Sequence, residues 1–371
     1  MKKSLALAVS LATLGMAANA ATVYDKDGTT LAIGGRVQAV AFNGHYNYAG
    51  EHDDSLVNSA RLSMSGKTKV LDYLSAIAFT EWDMADGHSA KAKIGDKIAS
   101  REQYVGADFG KFGKVIGGKT FDVNRAVHTA TDIYEDIDIQ NDFGLNGDRR
   151  NGIIRYDINN SGFFGSVHAQ IASDEIKVFG KKLDVESGYG SAVGYTFDNV
   201  CFGPLSVKAG YSYLKGQDDD VKGRDEFDFA DAKHTVASVA WGLPTTGLYL
   251  AGSAYRYDTE FNMLSAVSVK EQVLKGYELV VGYSFDSGVA LIAGYNHMQA
   301  TINKYNGKEE DYTFKRVPLQ VRYAFNSNFK VWTEAEFDAG SDDKRTSINP
   351  INGKDKLNRG TQLSAGARYT F

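Results

Sequence analysis

The chain has 371 residues and a formal net charge of −5, with 39 glycines, only 4 prolines and 1 cysteine. Its 21 tyrosines and 20 phenylalanines far outnumber its 3 tryptophans, and this composition favours long β-strands. A mildly acidic chain gives no electrostatic reason to bind nucleic acid, and a single thiol excludes an internal disulfide.

The first twenty residues predict an export signal. Residues 1–20 combine two early lysines with an apolar run and end in Ala-Asn-Ala. This pattern is typical of a secretory signal peptide cleaved after Ala20, and the apolar run is too short for a comfortable membrane span. Residues 21–371 are expected to form the mature domain. Loss of the two lysines changes its formal charge to −7.

Along the mature chain, hydrophobicity repeats with a period of two in runs of about ten residues. Clear examples are 205–213, 277–285, 317–325 and 329–337. Soluble sheets also alternate, but their strands usually have about 5–6 residues, whereas a tilted strand needs about 9–11 to cross a bilayer. Arg322, Glu334 and Arg368 occupy the polar face, which suits a wet interior better than a solid core.

Aromatic residues close several of these strands at repeated spacings. The pattern Tyr-x-Phe ends four strands separated by about one or two hairpin lengths: 195–197, 283–285, 323–325 and 369–371. The pattern Tyr-x-Tyr occurs at 211–213 and 255–257, on strands expected to run the opposite way. The two sets predict an aromatic girdle at each end of a membrane barrel.

Short connections alternate with long, charged ones. Cys201 lies in a short connection and is interpreted as a turn residue, with an intermolecular disulfide as the alternative. Alternating loop lengths are typical of outer-membrane barrels, and a closed barrel leaves no unpaired backbone in lipid. The sequence therefore predicts an all-β fold, a 16-stranded antiparallel transmembrane β-barrel.

One long segment, residues 121–150, does not fit an external loop. It follows the fifth predicted strand and interleaves acidic residues with Ile133, Ile137 and Ile139. A purely solvated loop would need fewer apolar residues. We therefore expect this third loop to fold into the lumen and pack on the wall, with its acids on the free side.

Several motifs resemble the general trimeric porins of Gram-negative outer membranes, of the OmpF, OmpC and OmpU type. They are VYDKDGTTLAIGGRV at 23–37, SARLSMSGKTKV at 59–70, GFFGSV at 162–167 and the terminal ARYTF. TDIYEDID at 131–138 corresponds to the third loop, which narrows the channel in that family. The resemblance covers essentially the whole mature chain. It implies a passive diffusion channel for ions and small hydrophilic solutes, with no enzymatic activity and no cofactor or metal.

The resemblance also implies a constriction in which basic wall residues face acidic residues of the third loop. Matching motif positions assigns the basic residues as Arg36, Arg61, Arg101 and Arg149, and the acidic ones as Asp132 and Asp136, with Glu135 as a near alternative. Each arginine has the alternative of lining the wall beyond the narrow zone.

Three further charges accompany this assignment. Glu81 is another lumen candidate, and Arg150 competes with the adjacent Arg149 for the position facing the pore. Strand alternation independently places Arg36 and Arg61 on inward faces, but it places Glu102 on the outward face, where a charge facing lipid is costly.

The resemblance further implies homotrimers in the cell outer membrane, in contact with lipid and lipopolysaccharide. The barrel assembly machinery is expected to recognise Tyr369 and Phe371 at the C-terminus. The acidic outer loops suggest a mild preference for cations.

Two other functions stay open from the sequence. An enzymatic barrel would need a catalytic group, yet no histidine pair has metal-ligand spacing and no Gly-x-Ser-x-Gly elbow occurs. A Ser/His/Asp set assembled in space is not visible in a sequence. A structural or adhesive barrel with a blocked lumen would share the strand pattern, and a conductance measurement separates it from a pore.

Overall fold

The computed structural model describes residues 20–43, 55–84, 98–136, 149–178, 181–217, 229–262, 269–341 and 361–371. The predicted signal peptide lies outside these ranges except for Ala20, so its cleavage stays a prediction. Within the ranges, no helix is long and apolar enough to cross a membrane.

Eighteen β-strands form almost all of the regular structure in these ranges. They are β1 (Ala21–Lys26), β2 (Thr29–Phe42), β3 (Ser55–Leu71), β4 (Leu74–Asp83), β5 (Ala99–Asp108), β6 (Lys114–Phe121), β7 (Arg149–Asn160), β8 (Phe163–Gln170), β9 (Ser173–Val178), β10 (Lys181–Val200), β11 (Gly203–Gly216), β12 (Phe229–Leu243), β13 (Thr246–Phe261), β14 (Val269–Ser284), β15 (Val289–Lys304), β16 (Glu309–Ala324), β17 (Phe329–Asp338) and β18 (Gln362–Thr370). A 3-10 turn covers Gly110–Phe112, and one α-helical turn, α1, covers Arg125–His128.

Sixteen of the strands form a closed antiparallel ring. Strands β2 to β8 pair in order, β8 pairs with β10, β10 to β18 pair in order, and β18 returns to β2. The other two strands are short additions. β1 continues along the edge of β2 beyond the end of β18, and β9 forms a hairpin with β10. The predicted 16-stranded antiparallel barrel is therefore confirmed.

The wall is taller on one side than the sequence predicted. Strands β10 to β16 contain 14 to 20 residues each, against about ten expected. Polar residues continue the pairing past the apolar band; for example, Lys233 lies opposite Asp258 between β12 and β13. Backbone hydrogen bonds hold these extensions together in water, so the strands do not end where their apolar alternation ends.

The predicted aromatic girdles are only partly present. Tyr283, Phe285, Tyr369 and Phe371 expose their rings on the outer face, as expected for the Tyr-x-Phe pattern. The outward placement of residues 255–257 was wrong, because alternation along β13 turns both tyrosines inward. There they join an apolar cluster that fills part of the lumen, together with inward residues of β14 to β16.

The C-terminus closes the barrel against a glycine. The backbone N–H of Phe371 donates to the Gly35 carbonyl at 2.9 Å, and the N–H of Gly35 donates to the Phe371 carbonyl at 2.8 Å. A Cβ atom on Gly35 would lie 2.6 Å from the Phe371 ring, so the close approach of the two strands requires glycine there. The last residue is therefore part of the wall.

Candidate functional site

After β6 the chain turns into the barrel and crosses its interior. We call residues 121–136 the lumen segment. Its backbone carbonyls accept hydrogen bonds from three wall strands: Lys208 Nζ at 3.1 Å, Ser238 Oγ at 2.9 Å and the Tyr249 hydroxyl at 2.6 Å. The predicted packing of this segment on the wall is thereby explained by side chains of β11, β12 and β13.

Buried polar side chains of the segment add further anchors. The Asn124 amide donates to Ser212 Oγ at 3.2 Å and to the His234 carbonyl at 3.1 Å. The His128 and His234 rings stack, with their Nε2 atoms 3.2 Å apart. Glycine at position 210 makes room for this packing, because a Cβ there would lie 2.3 Å from the Asn124 side-chain oxygen.

A buried ion pair fixes the start of the segment. The Asp122 carboxylate lies 2.9 Å from the Arg150 guanidinium, and both side chains are almost fully buried. Arg150 also donates through Nε to Gln170 at 3.2 Å. Burial alone would raise the pKa of Asp122, but Arg150, His168 and His234 hold it well below its ordinary value.

The tip of the segment docks on the opposite part of the wall, at β16 to β18. We call Arg322, Lys330, Glu334 and Arg368 the docking patch. The Glu135 carboxylate contacts all three cations of the patch: Lys330, Arg368 at 2.5 Å and Arg322 at 3.8 Å. Burial would raise the pKa of Glu135, but these cations outweigh it and lower the pKa to about 2.

Glu334 holds the backbone of the same tip. Its two carboxylate oxygens accept the N–H groups of Glu135 at 2.5 Å and Asp136 at 2.9 Å. The Asp136 carboxylate accepts from Trp332 Nε1 at 2.6 Å and Ser364 Oγ at 2.8 Å. Burial is the largest cause that raises the pKa of Asp136. Glu135 and Asp136 therefore attach the segment to the wall.

The third predicted acidic residue, Asp132, pairs within the segment. Its carboxylate lies 2.5 Å from the guanidinium of Arg125 on α1. The sequence indicated acids on the free side of the loop; in the described residues, Asp132, Glu135 and Asp136 all have ion-pair or hydrogen-bond partners. Residues 137–148 of the predicted loop, which include Ile137 and Ile139, lie outside the described residues.

The wall opposite the docked segment carries the four predicted basic residues. We call Arg36, Arg61, Arg101 and Arg149 the arginine cluster. Arg36 and Arg61 are directly opposite each other on β2 and β3. Arg61 Nε donates to Asp83 at 2.8 Å. The structure thus places Arg36 and Arg61 inward, where alternation predicted them.

Arg101 shares the acids of β4 with Arg61. Its guanidinium donates to Asp83 at 2.9 Å and also contacts Glu81, which is buried in the lumen as the sequence suggested. Arg36 lies within electrostatic range of Arg368, Arg61 and Arg101, and of the Glu135 carboxylate.

The outward placement of Glu102 was wrong. The pairing of β4 with β5 shifts between Glu81 and Trp82, so Arg101 is an extra residue in β5. This bulge allows both Arg101 and Glu102 to point inward, where Glu102 accepts a hydrogen bond from Thr120 Oγ1 at 2.9 Å. No charge is left against lipid at this position.

A second irregularity decides between Arg149 and Arg150. The pairing of β6 with β7 shifts near Gly152, whose φ of 77° lies in the left-handed region. Arg150 turns to the Asp122 anchor, whereas the Arg149 guanidinium lies 4.1 Å from the centre of the Phe121 ring. Arg149 lines the cavity described next, and Arg150 does not.

Between the lumen segment and the arginine cluster lies a cavity of about 710 Å³. Its walls include all four arginines of the cluster, with Glu81 and Glu102, and its segment side includes Phe121, Arg125 and Thr129. Sequence reasoning missed Phe121 and Arg125. The Phe-x-x-x-Arg spacing at the start of the loop is a signal that could have found them, because it brings both side chains to one side of the turn.

Comparison with known proteins is consistent with this architecture. The sequence pattern of the family described as Gram-negative porin matches residues 5–344. The chain is 25% identical over 342 residues to the outer membrane porin protein OmpD of Citrobacter koseri, covering 90% of both chains.

Two solved structures share the fold. Salmonella typhi OmpF in complex with daunomycin superposes with a TM-score of 0.70 at 18% identity, covering 95% of this chain and all of OmpF. The trimer form of OmpT from Vibrio cholerae gives a TM-score of 0.65 at 17% identity, covering 93% of this chain and all of OmpT. The chain therefore belongs to the Gram-negative porin family, as an outer-membrane β-barrel that acts as a passive diffusion channel and not as an enzyme.

Proposed function

We propose that ions and small hydrophilic solutes pass between the arginine cluster and the lumen segment, which form the narrow zone of the channel. The observation that carries this proposal is the asymmetric position of the segment. Its anchors at Asn124 and Glu135 lie on β11, β12 and β16 to β18, and the arginine-lined cavity lies between the segment and β2 to β8.

The charges of this zone would set the solute preference. Arginines on β2 to β7 and the carboxylates of the docked tip create a field across the passage. A polar solute can align its dipole and exchange hydration for contacts with the wall, whereas an apolar solute loses ordered water without compensation. In this proposal Glu135 acts through its electrostatic reach to Arg36, since its own carboxylate is occupied by the docking patch.

Planar-bilayer recording tests the channel. We expect stepwise openings whose conductance follows the conductivity of the salt solution, and liposome uptake of uncharged sugars that falls with sugar size. Absence of openings from correctly folded protein would support the blocked-barrel alternative and reject the proposal.

We also propose that the chain assembles as a homotrimer in outer-membrane lipid and lipopolysaccharide. OmpT of Vibrio cholerae, which shares the fold, has a trimer form. Small outward residues such as Ala39 and Ala41, next to Ala365 and Ala367 on β18, are compatible with close subunit packing. Openings in groups of three and a trimer mass in detergent would support this assembly. A monomer mass would contradict it.

Deleting Phe371 should reduce insertion into the outer membrane. We propose that Tyr369 and Phe371 form the signal for the assembly machinery, and both rings are exposed on the outer face. Outer-membrane yield in cells measures the effect, and the control is Phe371→Tyr, which keeps a terminal aromatic ring. Refolding in detergent separates recognition from the structural contact with Gly35. An unchanged yield in cells would refute the role of the signal.

A further inference from the structure

Two of the four guanidiniums in the arginine cluster have no acidic partner among the residues that the structure describes. Arg61 and Arg101 share Asp83, and Arg101 also contacts Glu81. Within the described ranges, neither Arg36 nor Arg149 forms an ion pair, and the Nε atom of each is buried without a hydrogen-bond partner. Their side chains nevertheless line the cavity of the narrow zone.

Burying a guanidinium without a partner is unfavourable, because the charge loses hydration and gains no compensating contact. The other charged residues of the cavity do not supply the missing negative charge. Among the described residues, its lining includes eight arginines and lysines against five aspartates and glutamates. Asp108 pairs with Lys67 within this lining; from outside it, Arg150 pairs with Asp122, and two carboxylates, Asp83 and Asp132, pair with Arg61, Arg101 and Arg125. The cavity therefore has an excess of positive charge where the passage is narrow.

The geometry of Arg149 is suited to holding an anion. Its guanidinium lies over the Phe121 ring at 4.1 Å, and Arg125 contacts the same ring at 5.3 Å. A stacked guanidinium keeps its N–H groups free at the edge of its plane. This edge matches the two oxygens of a phosphate or carboxylate, to which guanidinium groups donate in pairs.

We infer that the narrow zone is a weak binding site for oxyanions, formed by Arg36 and Arg149 on either side of Arg61 and Arg101, and that the channel prefers anions over cations. The inference rests on the proposed diffusion function and names its solute class: small solutes that carry phosphate or carboxylate groups. It opposes the cation preference expected from the acidic loops, because selectivity is set where the passage is narrowest and least screened.

The test uses the full-length protein in planar bilayers at neutral pH. Under a KCl gradient, the reversal potential should indicate preference for chloride. Inorganic phosphate should then reduce the chloride current saturably. Half-inhibition is expected at a phosphate concentration on the order of 1 mM, since tighter binding would prevent the anion from leaving the site. The double variant R36Q/R149Q should shift the reversal potential towards cations and lose most of the phosphate inhibition.

Two further variants sharpen the result. R256Q removes the same charge from an exposed arginine of β13 that pairs with Asp258, and should leave both readouts unchanged. R36K/R149K keeps the charge without the planar fork, so it should keep anion preference and weaken phosphate inhibition.

The outcomes separate the two proposals. A protein that folds but never opens rejects the diffusion function itself. An open channel that prefers cations, or whose chloride current does not respond to phosphate, overturns the oxyanion site and leaves the diffusion function intact. These wild-type measurements decide the inference even if the glutamine variants do not assemble.

Discussion

Replacing Glu135 with glutamine is expected to destabilise the barrel and to free the tip of the lumen segment. The substitution keeps the shape of the side chain but leaves the cations of the docking patch without the carboxylate they share. Removing one partner of a buried ion pair costs about 3–5 kcal/mol. Denaturant unfolding in vesicles should show this loss, and single-channel records should show more current noise as the tip moves.

The matched control is Glu186→Gln, which breaks an ion pair with Lys215 in which both side chains are about half exposed. Exposed pairs contribute about 0–1 kcal/mol, so this variant should unfold almost like wild type. Equal losses in the two variants would contradict the docking role of Glu135.

The pH dependence of the Glu135 effect follows from its lowered pKa. The group stabilises the folded chain above its unfolded value of 4.5, and this stabilisation is lost as the pH falls towards the folded value of about 2. The difference between the variant and wild type should therefore be constant from pH 8 to about pH 5 and narrow only under stronger acid. A difference that narrows near neutral pH would assign the effect to another group.

The barrel could be predicted from the sequence because its signals are local and repeated. Alternation along 317–325 and 329–337 fixes which face of β16 and β17 meets lipid, since one face must be apolar in the membrane. The same rule placed Arg36 and Arg61 inward. The number of strands could be predicted because short turns recur at regular intervals along the chain. One of these turns contains Cys201, whose φ of 53° is compatible with a tight hairpin.

Other features depend on contacts between residues far apart in sequence. Alternation placed Glu102 outward because a bulge at Arg101 leaves no mark in the residue pattern. It also assigned Glu135 to the free side of the loop. The cations that bind Glu135 are about 190 to 230 positions later in the chain, so only the closed ring brings them to the same place. The period-two pattern predicts which face of a strand carries a charged side chain, but it does not predict the ion-pair partner of that side chain.

Replacing Arg150 with leucine is expected to detach the start of the lumen segment from the wall. The variant leaves the Asp122 carboxylate buried without its cation, and Gln170 loses the donor at its side-chain oxygen. We expect a loss of about 3–5 kcal/mol in unfolding free energy at neutral pH. The channel conductance should also change, because Phe121 and Arg125 line the cavity and would move together with the segment.

The sign of the pH dependence distinguishes this explanation from a general packing defect. In wild type the pKa of Asp122 is lowered, so its stabilisation is present above the unfolded value of 3.8 and is lost below it. Without Arg150, burial dominates and raises that pKa, so the variant should regain stability relative to wild type as the pH falls from 7 towards 4. Adding Asp122→Asn to the leucine variant removes the buried charge and should recover much of the loss at pH 7. If the two substitutions are additive instead, the pair does not anchor the segment, and the start of the segment must be held by its other contacts, such as those of Asn124 and His128.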